Sequence, residues 1–114
     1  MITFDQCREI ALSFPESTEE AHFEKTSFRI NSKIFATYEK KSNTACIKLS
    51  KLDQEFFCAT NKRNIYPVDN RWGTKGWTII EMNNVGEAVF IDVLKTAYCE
   101  VAPQRLAGQV KGKE

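Results

Sequence analysis

The sequence predicts a two-layer α+β domain, in which helices cover one face of an antiparallel sheet of about five strands. Residues Ser27–Tyr38 contain two runs in which apolar side chains recur at every second position, on either side of Asn31 and Ser32, as in a β-hairpin. Near both ends of the chain, over residues 4–14 and 90–101, apolar residues recur at helical spacing instead. The resulting order is α-β-β-β-α-β-β-α, and consecutive antiparallel strands with helices between them are typical of this class.

The first helix is expected to begin after Thr3 and to end at Phe14. Thr3 and Gln6 have the spacing of a capping box, in which each side chain bonds the backbone N–H of the other residue. The apolar stripe of this helix comprises Phe4, Cys7, Ile10, Ala11 and Phe14. Pro15 disfavours helical geometry at the residue before it, so the helix stops there. Residues 15–21 are predicted to form an acidic connection.

Three strands should follow, at about 24–30, 33–40 and 44–49. Asn31 and Ser32 supply the turn between the first two strands, because Asn tolerates a positive φ and short polar side chains bond the nearby backbone. Residues 41–43 join the third strand.

The second half begins with a short helix through about Thr60, capped by Ser50 with Asp53 and expected to bury Leu52, Phe56 and Phe57. A short extended piece, Ile65–Val68, and a longer strand, Gly76–Met82, come next.

The last helix is expected to be capped by Asn84 with Glu87 and to be closed by Pro103. Its apolar stripe comprises Phe90, Ile91, Leu94, Ala97, Tyr98 and Val101. Residues 1–107 are therefore predicted to form a single domain, and residues 108–114 a polar, frayed tail.

Composition excludes several classes of protein. The 114 residues contain no apolar run of the roughly 20 residues that span a bilayer, and the N-terminus does not resemble a signal peptide. The four cysteines are far apart and form no C-x-x-C pair, which favours reduced thiols. We therefore expect a cytoplasmic protein that does not contact a membrane.

Several segments, taken in order, resemble a known family. They are P-E-S-T-E-E, F-R-I-N-S-K-I-F-A, I-K-L-S-K-L-D, Y-P-V-D, K-G-W-T-I-I and T-A-Y-C-E-V-A-P-Q-R-L. Over residues 2–106 this series resembles the MmcQ/YjbR family of small bacterial proteins. The resemblance implies the same order of elements, a fold similar to that of type III secretion chaperones and a DNA-binding role. It brings no catalytic motif.

Charge is distributed unevenly along the chain. Residues 1–21 carry one basic and five acidic side chains, a net charge of −4, whereas residues 22–82 carry eleven basic and six acidic ones, a net charge of +5. The strand-rich middle is therefore basic, although the whole chain has a net charge of only +1.

The predicted hairpin gives one candidate DNA-binding surface. A two-residue loop would pair Arg29 with Ile34 and Lys25 with Tyr38, and would place Lys40 on the same open face of the sheet. Phe28, Ile30 and Phe35 would face the core. Cations beside an aromatic ring suit phosphate contact and base stacking. The alternative is an ordinary solvated sheet face.

The loop Asn70–Trp77 gives a second candidate. Arg71 and Lys75 could hold phosphates while Trp72 stacks on a base or wedges between bases. Trp77 is expected to pack in the core, because aromatic side chains dominate buried area.

Catalytic and metal sites are not indicated, so we expect neither an enzyme nor a bound cofactor. His22 is the single histidine and has no visible catalytic partner, and the dispersed cysteines lack zinc-ligand spacing. Glu16, Glu19 and Glu20 could chelate a hard cation, but a solvated acidic loop explains them more simply.

Two functions remain open. One is a DNA-binding domain that uses Lys25, Arg29, Tyr38 and Lys40 on the sheet and Arg71, Trp72 and Lys75 in the loop. The other is a non-catalytic protein-interaction module, a homodimer or adaptor that contacts its partner through Ile34 and Tyr38.

Overall fold

A computed structural model describes residues 1–111, which form one six-stranded antiparallel sheet and five helices. The helices are α1 (Phe4–Ser13), α2 (Lys51–Thr60), α3 (Arg71–Thr74), α4 (Glu87–Val101) and α5 (Gln104–Lys111). The strands are β1 (Thr18–His22), β2 (Lys25–Ile30), β3 (Lys33–Glu39), β4 (Thr44–Lys48), β5 (Ile65–Pro67) and β6 (Trp77–Glu81). The spatial order β1-β2-β3-β4-β6-β5 confirms the predicted α+β class.

Strand β1 was not predicted and makes the sheet one strand larger than expected. Thr18–His22 pairs along its length with β2, from Thr18 opposite Arg29 to His22 opposite Lys25. The prediction of an acidic connection is therefore wrong for these residues. Charged side chains are common on edge strands, where they discourage pairing with another sheet, and Glu19 and Glu20 fit that role.

The β2–β3 turn is confirmed, but the register beyond it is not. Asn31 and Ser32 both have positive φ, 55° and 68°, and Arg29 lies opposite Ile34 as expected. The register then shifts, so that Phe28 lies opposite Ala36 and Phe35 is the additional residue of a β-bulge. Because a shift of one residue changes the face of the sheet, every residue of β3 beyond the bulge faces the side opposite to the one predicted.

The core lies between the sheet and the helices α1, α4 and α5. Tyr98 of α4 is fully buried at its centre, with its ring centroid 4.9 Å from that of Phe14 and 5.5 Å from that of Phe35. Its hydroxyl donates a 2.6 Å hydrogen bond to the carbonyl of Pro15. Phe35 belongs to this aromatic cluster, as expected, and the bulge allows its neighbour Ala36 to be buried on the same side of the sheet.

Local helix signals are confirmed at the first two helices. Thr3 and Gln6 form the capping box, and the Ser50 hydroxyl accepts a hydrogen bond from the Asp53 N–H. Helix α4 begins at Glu87 instead, its N-cap residue is Gly86 and no side chain caps it, so the predicted Asn84 cap is wrong.

The expected burial of α2 is only partly right. Phe57 is buried, but Leu52 and Phe56 are 77% and 60% exposed, because α2 packs toward β5 and turns Gln54 and Phe57 to the inside. At the other end of the chain, α5 continues past Gly108 to Lys111, and Leu106 packs in the core. The rest of the predicted tail, 112–114, lies outside the described residues.

No helix within residues 1–111 is both long and apolar enough to cross a membrane.

Candidate functional site

The face of the sheet turned away from the core helices carries a groove of about 540 Å³. Strands β2, β3, β4 and β6 provide its floor, and the segment from β5 into α3 provides one wall. The lining residues are Lys25, Thr37, Glu39, Thr44, Cys46, Val68, Asn70, Trp72, Trp77 and Ile79. Of the predicted site residues, only Lys25 and Trp72 line this groove.

Three adjacent strands bring the centre of the floor together. Thr37 lies opposite Cys46 across β3 and β4, and Cys46 lies opposite Ile79 across β4 and β6. These side chains alternate with core residues such as Ala45 and Ile47, so the two faces of β4 differ in polarity. The floor therefore has a hydroxyl, a thiol and an aliphatic side chain in one row.

The wall is fixed by a close backbone contact. The Asn70 side chain caps α3 by accepting a 2.8 Å hydrogen bond from the Trp72 N–H. Gly73 packs on the segment before it so tightly that a Cβ there would lie 2.0 Å from the carbonyl oxygen of Val68. Only glycine allows this approach, which holds the Trp72-bearing helix against the segment that follows β5.

A buried amide ties the wall to the floor. Gln54 of α2 donates hydrogen bonds to the Gly73 carbonyl at 2.9 Å and to the Thr78 hydroxyl at 3.1 Å. Its Nε2 also lies 3.4 Å from the Trp77 carbonyl oxygen. Because Gln54 is almost completely buried, these partners satisfy a group that would otherwise be costly to desolvate.

Trp72 lines the groove and lies beside two cations. Its side chain is 48% exposed, and the Arg71 guanidinium and the Lys75 ammonium lie 5.7 Å and 5.2 Å from its ring centroid. Neither cation forms an ion pair with a carboxylate of the described residues. The structure thus brings Arg71, Trp72 and Lys75 together as predicted, on a one-turn helix rather than in an open loop. We call these three residues the α3 cluster.

The cations of the sheet are compensated by acids. Lys25 lies 3.8 Å from the Glu39 carboxylate, and Arg29 lies 3.8 Å from the Glu20 carboxylate and donates to the Ser27 hydroxyl at 3.0 Å. Both residues occupy the open face as predicted. Their contribution to a positive surface is small, because each ion pair has almost no net charge.

Tyr38 and Lys40 do not belong to this face, and their predicted placement is wrong. The β3 bulge turns Tyr38 toward α1, where it is only 8% exposed, its ring lies 4.7 Å from Phe4 and its hydroxyl donates to Asn43 at 3.0 Å. Lys40 lies with it around a separate cavity that is also lined by Thr26. The interaction surface predicted from Ile34 and Tyr38 is lost for the same reason.

Trp77 does not pack in the core, so its predicted position is wrong as well. It was expected in the core, but it is half-buried on the groove side, opposite Lys48 of β4. The alternation of β6 gives the signal that could have located it, because Thr78 and Ile80 take the core positions.

The groove thiol is held in its neutral form. Burial raises the pKa of Cys46 to about 11, although Lys25 and a backbone hydrogen bond at Thr78 act in the opposite direction. Thiolates, not thiols, are the reactive species, so this site does not present an activated cysteine at neutral pH.

The acidic residues considered as cation ligands are dispersed. Glu16 pairs with Arg105 at 3.3 Å and Glu19 with Arg8 at 2.6 Å. Across the part of the chain that the structure describes, no group of three or more His, Cys, Asp or Glu residues could hold a metal ion.

Comparison with known proteins places the chain. The YjbR family model matches residues 12–100. The crystal structure of protein DR2400 from Deinococcus radiodurans, which carries a DUF419 domain, superposes with a TM-score of 0.79 at 18% sequence identity, over 97% of this chain and 89% of that one. A search of curated proteins finds no match. Since the family model covers most of its residues, this chain belongs to the YjbR family.

Proposed function

We propose that this protein is a non-catalytic DNA-binding protein whose α3 cluster is the main contact. The observation that carries the proposal is a half-exposed Trp72 flanked by Arg71 and Lys75, both without a carboxylate partner in residues 1–111. Guanidinium and ammonium groups bind phosphates, and an exposed indole offers a face on which a base can stack. The DNA-binding role implied by the family resemblance supports the same reading.

Charge compensation on the sheet sets the expected strength of this interaction. Lys25 and Arg29 are paired with acids, so we assign them a minor part and give Tyr38 and Lys40 none. With two principal phosphate contacts on a single strand, the logarithm of the binding constant should fall with the logarithm of the salt concentration. The slope should have a magnitude of about 1.4, or about 0.7 per phosphate. Affinity should therefore be modest, and binding should be clearest at low salt.

The test is fluorescence anisotropy of labelled single-stranded and duplex DNA, titrated from low to physiological salt. Arg71→Ala and Lys75→Ala should each weaken binding and lower the slope by about 0.7. Trp72→Ala should weaken binding about fivefold or more without changing the slope, because stacking is not ionic. Lys62→Ala removes an equal charge from the exposed turn between α2 and β5 and serves as the matched control.

The proposal fails if wild-type protein does not bind DNA at low salt. It also fails if Lys62→Ala weakens binding as much as Lys75→Ala, because the interaction would then depend on overall charge rather than on the α3 cluster.

A second candidate function follows from the exposed side of α2. Leu52 and Phe56 are one helical turn apart and largely exposed, so they form a small apolar patch suited to a second copy of this chain. We propose a homodimer through this patch as the alternative. Light scattering should then give twice the monomer mass for wild-type protein and the monomer mass for Phe56→Glu. A monomeric wild type at high concentration would exclude it.

A further inference from the structure

The groove is chemically divided along its length. Ile79, Val68 and Trp77 give an apolar region beside Trp72. Thr44, Lys25 and Glu39 line it as well, and they are polar. Thr44 lies opposite Glu39, and Glu39 faces Lys25 at 3.8 Å, so hydroxyl, carboxylate and ammonium groups stand together at this end.

This division matches a flat ring with polar edges. The volume of about 540 Å³ lies in the range of sites for small organic groups, and it is open to solvent on the side away from the core. A base inside a duplex cannot enter such a groove, because its faces are covered by its neighbours and its edge is paired. An unstacked base can enter it and still present its hydrogen-bonding edge.

The distribution of charge indicates where the backbone of such a strand would lie. Arg71 and Lys75 lie beside Trp72, and neither of them lines the groove. A nucleotide with its base in the groove would therefore have its phosphate at the α3 cluster. The compensated pairs of Lys25 and Arg29 leave no second uncompensated cation cluster along β2.

We infer that the groove selects single-stranded DNA by taking up one unstacked base against Trp72 and Trp77, with its polar edge toward Thr44 and the Lys25–Glu39 pair. This inference rests on the proposed DNA-binding function and adds the form of the strand and the place of the base. The groove, rather than the α3 cluster alone, then distinguishes single-stranded from duplex DNA.

The test compares three labelled ligands of equal length: an oligothymidine strand, an abasic strand with the same phosphates, and a duplex. We expect the oligothymidine strand to bind about tenfold or more tightly than either of the others. Both tryptophans of the chain line the groove, so binding should also quench the intrinsic tryptophan fluorescence. Equal affinity for all three ligands would overturn the inference but leave DNA binding through phosphates in place. Failure of all three to bind would overturn both proposals.

Substitutions at Cys46 test the inference, because a large side chain there fills the groove and a small one does not. Cys46→Phe places a ring on the central floor strand, on the face away from the core, and should abolish the preference for the oligothymidine strand over the abasic one. Cys46→Ser has nearly the original size and should keep the preference. Thr44→Phe makes the same test from the polar end if Cys46→Phe does not fold. A folded filling variant that retains the full preference contradicts the inference.

Discussion

The wall of the groove depends on one glycine, and its replacement gives a sharp prediction. In Gly73→Ala the new Cβ would lie 2.0 Å from the carbonyl oxygen of Val68, whereas ordinary van der Waals contact begins at 3.4 Å. The atom it meets belongs to the backbone, so no side-chain rotation can relieve the clash. Helix α3 and the segment before it must therefore separate by at least about 1 Å.

The energetic cost has two parts. Overpacking costs about 1–3 kcal/mol. Displacing Gly73 also lengthens the 2.9 Å hydrogen bond from the buried Gln54 amide, and a weakened buried bond adds about 1 kcal/mol. We expect Gly73→Ala to lower the free energy of unfolding by about 2–4 kcal/mol. For a domain of this size that corresponds to a fall in Tm of roughly 10 °C or more.

Gly108→Ala is the control, because its effect on the free energy of unfolding should have the opposite sign. Gly108 lies inside α5, and a Cβ at that position would meet nothing within 4 Å. Gly108→Ala should therefore raise the free energy of unfolding by about 0.5–1 kcal/mol through helix propensity alone. Urea denaturation followed by circular dichroism measures both variants. A Gly73→Ala protein within 0.5 kcal/mol of wild type would show that the contact with Val68 does not constrain the fold.

Three further predictions test other features. Gln54→Met keeps the length of the side chain but removes its hydrogen-bond donors, so the free energy of unfolding should fall by about 1–3 kcal/mol. If urea denaturation shows a decrease of less than 0.5 kcal/mol, Gln54 does not anchor the wall of the groove. Phe23 is 94% exposed at the β1–β2 turn and has a φ of 57°. Phe23→Gly should relieve about 1–2 kcal/mol of backbone strain, and the free energy of unfolding should be unchanged or slightly higher. A decrease of more than 1 kcal/mol in the free energy of unfolding would contradict this. Cys46 should be alkylated about 100-fold more slowly than an ordinary thiol at pH 8, because the thiolate is the reactive form and the pKa of Cys46 is about 11. The rate should rise tenfold per pH unit toward that pKa. If peptide mapping shows that Cys46 of the folded protein reacts as fast as in the urea-unfolded protein, this prediction is wrong.

Features that depend on neighbours in the chain could be predicted from the sequence. The Thr3–Gln6 capping box, the Ser50 cap and the Asn31–Ser32 turn all involve residues within three positions of each other, and all are confirmed. The α3 cluster belongs to the same class, since its cations flank Trp72 within one short segment.

Features set by tertiary packing could not be predicted in this way. Phe35 faces the core in either register, so the sequence allows both a regular strand and a bulge. The burial of Ala36, and of Tyr38 against Phe4, distinguishes the bulge, and these are contacts between distant segments. The error for Tyr38 follows directly from that choice. Similarly, the apolar residues of α2 lie on two sides of the helix, and packing toward β5 buries Phe57 but leaves Phe56 exposed.

The groove is formed by strands that are far apart in the sequence. Its floor requires β6 to lie beside β4, although about thirty residues separate them in the chain. The alternation of polar and apolar residues in β4 and β6 indicates that each strand has a second, exposed face. It does not indicate that these faces adjoin, so Cys46 and Ile79 could not be assigned to one site from the sequence.

Binding of single-stranded DNA in the groove can be observed directly by a proton–nitrogen correlation NMR titration of the labelled protein with a short oligothymidine strand at low salt. The chain has two tryptophans, so two indole N–H signals report directly on the groove and the α3 cluster. If a base enters the groove, the indole signals of Trp72 and Trp77 should both shift and saturate together, while the backbone signals of Leu52 and Phe56 should not move. Indole signals that remain unchanged while α2 shifts, or a spectrum that does not respond at all, would contradict binding in the groove.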